Sequence, residues 1–231
     1  MYALSIVHFR TKLKTAVLLV NSMYTAPTEI FAAFAMYFLG GAKSSHVLLA
    51  GIGGIGLMGI IVKIAPYRMK RLTTFLNPEA DPLGMGYHIN QALLAVGSGG
   101  FWGRGFGHSR QKFAYLPEVF GDSIFAVIAE ELGFLIAMIF ISLLLFWILR
   151  GLRIARASAD DFGMLLVAGC MSWFAFQMFV NIGAMLSILP LTGVPLPFVS
   201  YGGTALIVEM AAIGIILNVS KTSRGSRAKY S

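Results

Sequence analysis

The stretch SIFAVIAEELGFLIAMIFISLLLFWIL, residues 123–149, decides the fold. Glu130 and Glu131 are its only charged residues, and it exceeds the about 20 apolar residues with which a helix crosses the bilayer core. Comparable apolar runs occupy residues 163–189 and 203–219, and residues 46–65 form a Gly-rich run. The chain is therefore predicted to be an all-α integral membrane protein, a polytopic helix bundle.

The composition supports this class. Hydrophobic residues make up 57% of the chain and charged residues 12%, whereas about a quarter of a soluble domain is charged. The net charge of +8 comes from cations placed beside apolar runs, a pattern typical of membrane topology. We therefore predict no nucleic-acid partner.

Lysine and arginine positions predict the sidedness of the segments, because positive residues concentrate on the cytoplasmic side. They place both termini and the 150–162 loop inside, and the uncharged residues 189–203 outside. An N-terminus inside requires a broken pair of short segments within residues 15–40, giving about six membrane segments in all. We predict one membrane domain over 1–231, with an external Gly-rich loop at 72–121 and a basic cytoplasmic tail at 218–231.

Three cations do not fit this topology, since Arg68, Lys70 and Arg71 fall on the outer side. Two interpretations remain open. Their side chains snorkel to lipid phosphates, or they form a cationic rim that lines a cavity for an anionic lipid substrate.

The external loop contains a predicted amphipathic helix, with Ile89, Leu93 and Val96 on its apolar face. Six glycines follow between Gly97 and Gly107, without the strand and spacing of a dinucleotide site. Isolated histidines predict no transition-metal site. The sequence requires no cofactor, and a divalent cation remains an open possibility.

Carboxylates mark the outer end of the 123–149 run. Asp122 either caps the helix N-terminus or acts as a general base near cations. A helix beginning near Asp122 places Glu130 on the same face, where both are expected to line one cavity. Glu131 lies roughly opposite and is expected to pair with a neighbouring helix. Gly133, in a small-residue row with Ala129 and Ala137, predicts tight helix packing.

Three further polar residues lie inside apolar runs. Glu209 is a candidate functional residue, because a carboxylate at membrane depth is costly unless it is paired or hydrated. Gln177 and Asn181 lie at i and i+4 on one helix face. They are expected either to make interhelical hydrogen bonds or to line a cavity.

Three motifs together carry a resemblance to a known family. They are G-x-G-x-G-x-S-x-Q-K at 103–112, L-P-E-x-x-x-D-x-I-F-A at 116–126 and PFVSYGG at 197–203. The chain resembles the C-terminal portion of SEDS proteins, the family of FtsW, RodA and SpoVE. The resemblance implies a glycosyltransferase of the bacterial cytoplasmic membrane that polymerises lipid II at the outer leaflet. It also implies as partners the growing glycan strand, a class B penicillin-binding transpeptidase, and other membrane proteins of division or elongation.

The resemblance assigns roles to residues. The essential aspartate of the family matches Asp122, whose implied role is to deprotonate the acceptor sugar's 4-hydroxyl. Glu118 is expected to tune Asp122 or hold the loop. By residue type, the candidates for stabilising the pyrophosphate are Arg104, Arg110 and Lys112. The second external motif is expected to face the same cavity through Ser200, Tyr201, Gly202 and Gly203.

Departures from the family keep two alternatives open. The chain has about six membrane segments where the family has about ten, and residues 20–25 retain only Thr25 of the Q-P-D-x-G/S-T motif. Residues 119–121 read Val-Phe-Gly where many members have Ala-His-Thr. The alternatives are a lipid-precursor flippase, with Asp122 and Glu209 lining its path, and a catalytically silent truncated chain.

Overall fold

The computed structural model describes residues 26–64 and 66–229, and its regular structure over these ranges is helical throughout. A short 3-10 helix, Pro78–Ala80, lies between the third and fourth α-helices. The α-helices are α1 (Ala26–Leu39), α2 (Ser44–Ile64), α3 (Pro66–Leu76), α4 (Met85–Ser98), α5 (Gln111–Ala114), α6 (Ile124–Arg156), α7 (Asp161–Met185) and α8 (Gly203–Lys229).

Three helices in the described ranges are long and apolar enough to cross a membrane, namely α6, α7 and the Gly203–Thr222 part of α8. They confirm the predicted segments at 123–149, 163–189 and 203–219, and with them the all-α bundle. Helix α2 covers most of the predicted run at 46–65. The first half of the broken pair and the motif at 20–25 lie outside the described residues. The total of about six segments, their sidedness and the domain limits stay predictions.

Helix α7 is the centre of the bundle, where it packs against α1, α6 and α8. Half of its apolar stretch is buried in the protein, against 17% for α6 and α8. Glycines on the packed faces of α6 and α7 leave room for methionine side chains of the neighbouring helices. A Cβ at Gly151 would lie 1.8 Å from Met171 Sδ, and one at Gly169 would lie 2.4 Å from Met36 Sδ. The long thioether side chains fill the space that each glycine leaves.

Helix α6 is broken at Gly133, which adopts φ 77° and ψ 177°. This conformation is essentially restricted to glycine, so the predicted small-residue row is not one continuous helix face. In an unbroken helix, the N–H groups of Phe134 and Leu135 would donate to the carbonyls of Glu130 and Glu131. Instead they donate to Gly100 O at 2.9 Å and Phe101 O at 3.3 Å.

The glycine-rich part of the external loop, residues 98–112, is called the Gly-rich loop from here on. It also donates hydrogen bonds to the helix residues that precede the break. The carbonyl of Glu130 accepts from Arg104 N–H at 3.0 Å, and that of Glu131 accepts from Gly105 N–H at 2.9 Å. Four hydrogen bonds to the loop therefore satisfy the groups that the break leaves free, as buried backbone groups require. The helix and the loop form one structural unit.

Helix α4 packs against α6, and its buried face differs from the predicted one. Ile89, Ala92 and Ala95 are buried, whereas Leu93 is 40% exposed. The small alanines allow close approach of α4 to α6, which outweighs the larger apolar area of the leucine. The amphipathic helix is present, but its inner face rests on protein.

Residues 190–202, between α7 and α8, fold back against the bundle. Val194, Leu196 and Pro197 are buried. Phe198, at φ 63°, places its ring 5.5 Å from Trp147 and 5.3 Å from Phe174, measured between ring centroids. This apolar anchoring fixes the segment that precedes α8.

Candidate active site

Asp122 lies in the turn 117–123, just before α6 begins at Ile124. Within the turn, Gly121 N–H donates to Glu118 O at 2.9 Å, and Ser123 N–H donates to the same carbonyl at 3.3 Å. Glu118 adopts a left-handed φ of 48°. The turn therefore has a defined backbone conformation from which the Asp122 side chain projects.

Contacts from the segment 190–202 clamp this turn. Ser200 Oγ donates to Gly121 O at 2.6 Å, and Tyr201 N–H donates to Phe120 O at 2.7 Å. The motif PFVSYGG thus lies directly against the turn of Asp122, although the two are distant in sequence. The Tyr201 side chain itself is 87% exposed, while Gly202 and Gly203 stand at the start of α8.

Asn181 links the same two segments from α7. Its Nδ2 donates to the Asp122 carbonyl and to the Val194 carbonyl, both at 2.8 Å. Asn181 was expected to bond to another helix or line a cavity, and it instead holds two non-helical segments together. Gln177, one turn away, is 2% exposed, and its Oε1 has no hydrogen-bond partner among the described residues.

The Asp122 carboxyl is partly withdrawn from water. Burial raises its pKa above the usual range, with the charge of Glu118 acting in the same direction and His88 opposing it. Its Oδ1 is buried and accepts no hydrogen bond from the described residues. A carboxylate with a raised pKa and a free acceptor atom is a suitable general base. The N-cap position of α6 is held by Ser123 and not by Asp122, and the Ser123 side chain makes no cap hydrogen bond.

His88 and Ser123 also belong to this site, although neither is among the candidate residues predicted from the sequence. His88 Nε2 lies 2.6 Å from Ser123 Oγ, and Ser123 Oγ lies 2.8 Å from the Pro117 carbonyl. His88 is one of the isolated histidines of the sequence, and no group of three or more metal-binding side chains occurs among the described residues. The position of Ser123 next to Asp122 was the one sequence feature that pointed to it.

Glu130 holds the Gly-rich loop instead of lining a cavity with Asp122. Its side chain is fully buried and accepts from Ser109 Oγ at 2.5 Å and from Arg110 N–H at 3.0 Å. Arg104 Nε lies 3.7 Å away. The expected shared face is lost because α6 begins after Asp122 and the loop covers Glu130.

Glu131 likewise contacts the loop, and its expected pairing with a neighbouring helix is seen at Lys112, which lies in the short helix α5. Its carboxylate accepts from Gly107 N–H at 3.0 Å and from Lys112 Nζ at 3.4 Å. Two of the three cations expected at a pyrophosphate, Arg104 and Lys112, are therefore already near carboxylates, while Arg110 is exposed. Their role in binding stays a prediction.

The outer cations on α3 differ from one another. Lys70 pairs with Asp81 at 3.0 Å, and this hydrogen bond lowers the pKa of Asp81. Arg71 donates to the Leu191 carbonyl at 2.9 Å, which ties α3 to the segment 190–202. Arg68 is exposed. The three residues do not present one uniform cationic rim in this structure.

Glu209 lies on α8 and is 3% exposed. Its Oε2 accepts from Phe198 N–H at 2.9 Å. This bond satisfies a backbone donor in the strained residue of the PFVSYGG motif, so Glu209 supports the segment that clamps Asp122. A buried carboxylate with a specific partner fits the low tolerance for unpaired charge at membrane depth.

Comparisons with known proteins agree with this architecture. The sequence profile of the FtsW/RodA/SpoVE family, described as "Cell cycle protein", matches residues 4–225. Stage V sporulation protein E of Bacillus subtilis (strain 168) is 44% identical over 201 residues, which cover 87% of this chain and 55% of that protein. The probable peptidoglycan glycosyltransferase FtsW of Geobacter sp. (strain M18) is 41% identical over 208 residues, which cover 89% of this chain and 56% of that protein.

Two solved structures share the fold. A chain from a peptidoglycan synthase complex that coordinates polymerization and crosslinking superposes with a TM-score of 0.72 at 28% identity, covering 90% of this chain and 58% of that one. An aspartate-to-alanine mutant of the rod shape determining protein RodA of Thermus thermophilus gives a TM-score of 0.52 at 27% identity, covering 83% and 47%. The chain spans about half the length of the curated relatives it matches.

Proposed function

Because this chain belongs to the FtsW/RodA/SpoVE family, we propose that its protein is a peptidoglycan glycosyltransferase that polymerises lipid II. Support comes from the relatives described as probable peptidoglycan glycosyltransferases. The observation that carries the proposal is the state of Asp122. It combines a clamped backbone, a raised pKa and a buried carboxylate oxygen that accepts no hydrogen bond within the described part of the chain.

In the proposed reaction, the Asp122 carboxylate takes the proton of the acceptor sugar's 4-hydroxyl. The resulting oxygen nucleophile forms a bond to the anomeric carbon of the donor. The bond between that carbon and the pyrophosphate oxygen breaks, and undecaprenyl pyrophosphate leaves with the electron pair. General base catalysis of this kind contributes about 10²–10⁴ in rate.

The cations of the Gly-rich loop are proposed to stabilise the leaving group. Negative charge develops on the pyrophosphate in the transition state, and positioned cations lower the energy of that charge. Arg110 is exposed and available for this contact. Arg104 lies near Glu130, and Lys112 lies near Glu131. These pairs hold both cations in position and leave neither carboxylate unpaired. Reorientation of their remaining N–H groups toward phosphate completes the proposed site.

The cellular setting is also a proposal. We place the protein in the bacterial cytoplasmic membrane, as a multi-pass protein with cytoplasmic termini and with Asp122 at the outer leaflet. A class B penicillin-binding transpeptidase is the proposed partner, since one structural relative belongs to a synthase complex that coordinates polymerization and crosslinking. The growing glycan strand is a further proposed partner, together with lipid II.

The test is polymerisation of labelled lipid II by the purified full-length protein in detergent. Glycan chains are expected with wild type, and Asp122→Asn is expected to slow their formation at least about 100-fold. Asp161→Asn, at the start of α7, is the matched control and is expected to retain activity. Undiminished polymerisation by Asp122→Asn contradicts the general-base role.

The same assay separates the alternatives. Detergent removes the two leaflets, so a flippase yields no glycan there. Purified wild-type protein that binds lipid II without polymerising it contradicts the proposed transferase. In that case, transport across reconstituted vesicles distinguishes a flippase from a silent protein.

A further inference from the structure

We propose that His88 is a positioning residue for Asp122. In its neutral form it holds the turn 117–123 through Ser123, and in its protonated form its charge keeps the neighbouring carboxylate ionised. The proposal rests on the proposed function only for its kinetic consequence, because the position and charge of Asp122 are measurable without turnover.

The hydrogen-bond chain fixes the proton on one nitrogen of His88. Ser123 has a single hydroxyl proton, and its neighbour at 2.8 Å, the Pro117 carbonyl, can only accept. Ser123 Oγ therefore donates to Pro117 and accepts at 2.6 Å from His88. It follows that the neutral imidazole carries its proton on Nε2 and leaves Nδ1 as an acceptor.

This chain connects α4 to the turn that carries Asp122. Ser123 is completely buried, so its lone pair has no solvent to replace the imidazole N–H. Loss of one partner of a buried hydrogen bond costs about 1–3 kcal/mol. Because Ser123 directly follows Asp122, any movement that restores its hydrogen bonding also moves the Asp122 backbone.

Electrostatic coupling gives His88 its second role. Burial lowers the pKa of His88, while the charges of Asp122 and Glu118 raise it. His88 in turn opposes the effect of burial on the pKa of Asp122. As the pH falls, protonation of the imidazole places a positive charge beside the carboxylate, which favours the ionised acid.

Several charges on the other elements around α4 have partners of their own, whereas Arg68 and Glu79 are exposed. Helix α3 and the 3-10 segment are linked by the pair Lys70 and Asp81. On α6, Glu130 and Glu131 are engaged by the Gly-rich loop. Helix α7 has its one carboxylate, Asp161, at its first residue, whereas Asn181 near its last turn contacts the Asp122 backbone. The charges that act on the pKa of Asp122 are those of His88 and Glu118.

Two substitutions separate position from charge. His88→Gln keeps an N–H donor for Ser123 but cannot acquire a proton, whereas Ser123→Ala removes the hydrogen bond and leaves the imidazole titratable. His46→Gln, on the exposed face of α2, is the control. These three variants, together with His88→Leu, which removes the donor to Ser123, are compared with wild type in the full-length protein.

The charge is measured by ¹³C NMR titration of protein labelled at the aspartate carboxyl carbons. The signal missing from the spectrum of Asp122→Asn identifies Asp122. We expect its titration midpoint to move to higher pH in His88→Gln and to stay in place in His46→Gln. An unchanged midpoint in His88→Gln overturns the electrostatic role. Ser123→Ala is not used in this comparison, because a hydrogen bond from the Ser123 side chain also lowers the pKa of Asp122.

The position is measured by hydrogen exchange at the Gly121 and Ser123 amides, which donate to Glu118 O. Exchange is expected to accelerate in His88→Leu and in Ser123→Ala, and to remain near the wild-type rate in His88→Gln. Wild-type exchange in His88→Leu overturns the positioning role. For a protein that polymerises lipid II, the acid limb of the pH–rate profile is also expected at higher pH in His88→Gln. If no polymerisation occurs, the proposed function fails while the two other measurements still decide this inference.

Discussion

Replacing Gly103 with alanine is expected to separate the Gly-rich loop from the break in α6. A Cβ at this position would lie 2.3 Å from Glu131 O and 2.7 Å from Gly133 N. Real Cβ atoms do not approach backbone that closely, and backbone cannot rotate away as a side chain can. The loop must therefore withdraw from the break, and its hydrogen bonds to α6 lengthen or are lost.

Gly107 provides a closely matched control. It adopts φ +80°, against φ +82° for Gly103, but a Cβ there would meet nothing within 4 Å. Both alanine variants therefore incur the left-handed backbone penalty of about 1–2 kcal/mol. Only Gly103→Ala also loses hydrogen bonds, at about 1 kcal/mol for each of one or two bonds. The expected destabilisation is about 3 kcal/mol for Gly103→Ala and about half that for Gly107→Ala.

The assay is the free energy of unfolding in a denaturing-detergent titration, combined with hydrogen exchange at the amides of Phe134 and Leu135. These amides donate to the loop carbonyls at Gly100 and Phe101, so they report on the break directly. We expect faster exchange at both amides in Gly103→Ala alone. Equal destabilisation by the two alanine variants, with unchanged exchange at Phe134 and Leu135, refutes the interlocked loop and helix.

Three further predictions concern carboxylates and one amide. Asp122→Asn is expected to raise the thermal stability at pH 8, because it removes the penalty of ionising a carboxyl whose folded-state pKa is raised. A raised folded pKa contributes stability that is present below the unfolded pKa and lost as pH rises through the folded pKa, so the gain should shrink on acidification. Glu130→Gln is expected to destabilise the protein by about 1–3 kcal/mol and to accelerate amide exchange at Arg110, which Glu130 binds. Asn181→Leu is expected to cost about 2 kcal/mol, because it leaves the carbonyls of Asp122 and Val194 without their donor; Asn181→Gln tests whether an amide one methylene longer restores them.

The long apolar runs were predictable because membrane crossing requires a sustained length of hydrophobic residues. Helices α6, α7 and α8 follow from this rule alone. The buried face of α4 does not follow from this rule. The prediction placed Leu93 on that face because of its large apolar area, whereas the smaller Ala92 and Ala95 are buried there. Periodicity identifies an amphipathic helix, but the closeness of its neighbour decides which face is inside.

The candidate site was predictable in part. Asp122 and the motif PFVSYGG were selected separately, and the structure brings them into contact through Ser200 and Tyr201. That contact spans a large sequence separation and includes backbone carbonyls, which carry no sequence signature. His88 was also missed. Its partner Ser123 is distant from it in sequence and is an ordinary residue type in a turn.

The contacts of Glu130 and Glu131 explain why an apolar run carries two adjacent carboxylates near one end. Both side chains bind the Gly-rich loop, and both backbone carbonyls accept from that loop across the break at Gly133. Without the carboxylates, the loop donors that bind them would be buried and unsatisfied. Without the break, the loop would lose its hydrogen bonds to the helix backbone. Burying a polar group without a hydrogen bond is costly in either case. The same short stretch therefore begins a membrane helix and fixes the loop whose cations are proposed to meet the pyrophosphate. Because residues 98–112 of the Gly-rich loop supply the hydrogen bonds at the break in α6, we expect this loop and the first turns of α6 to unfold as one unit.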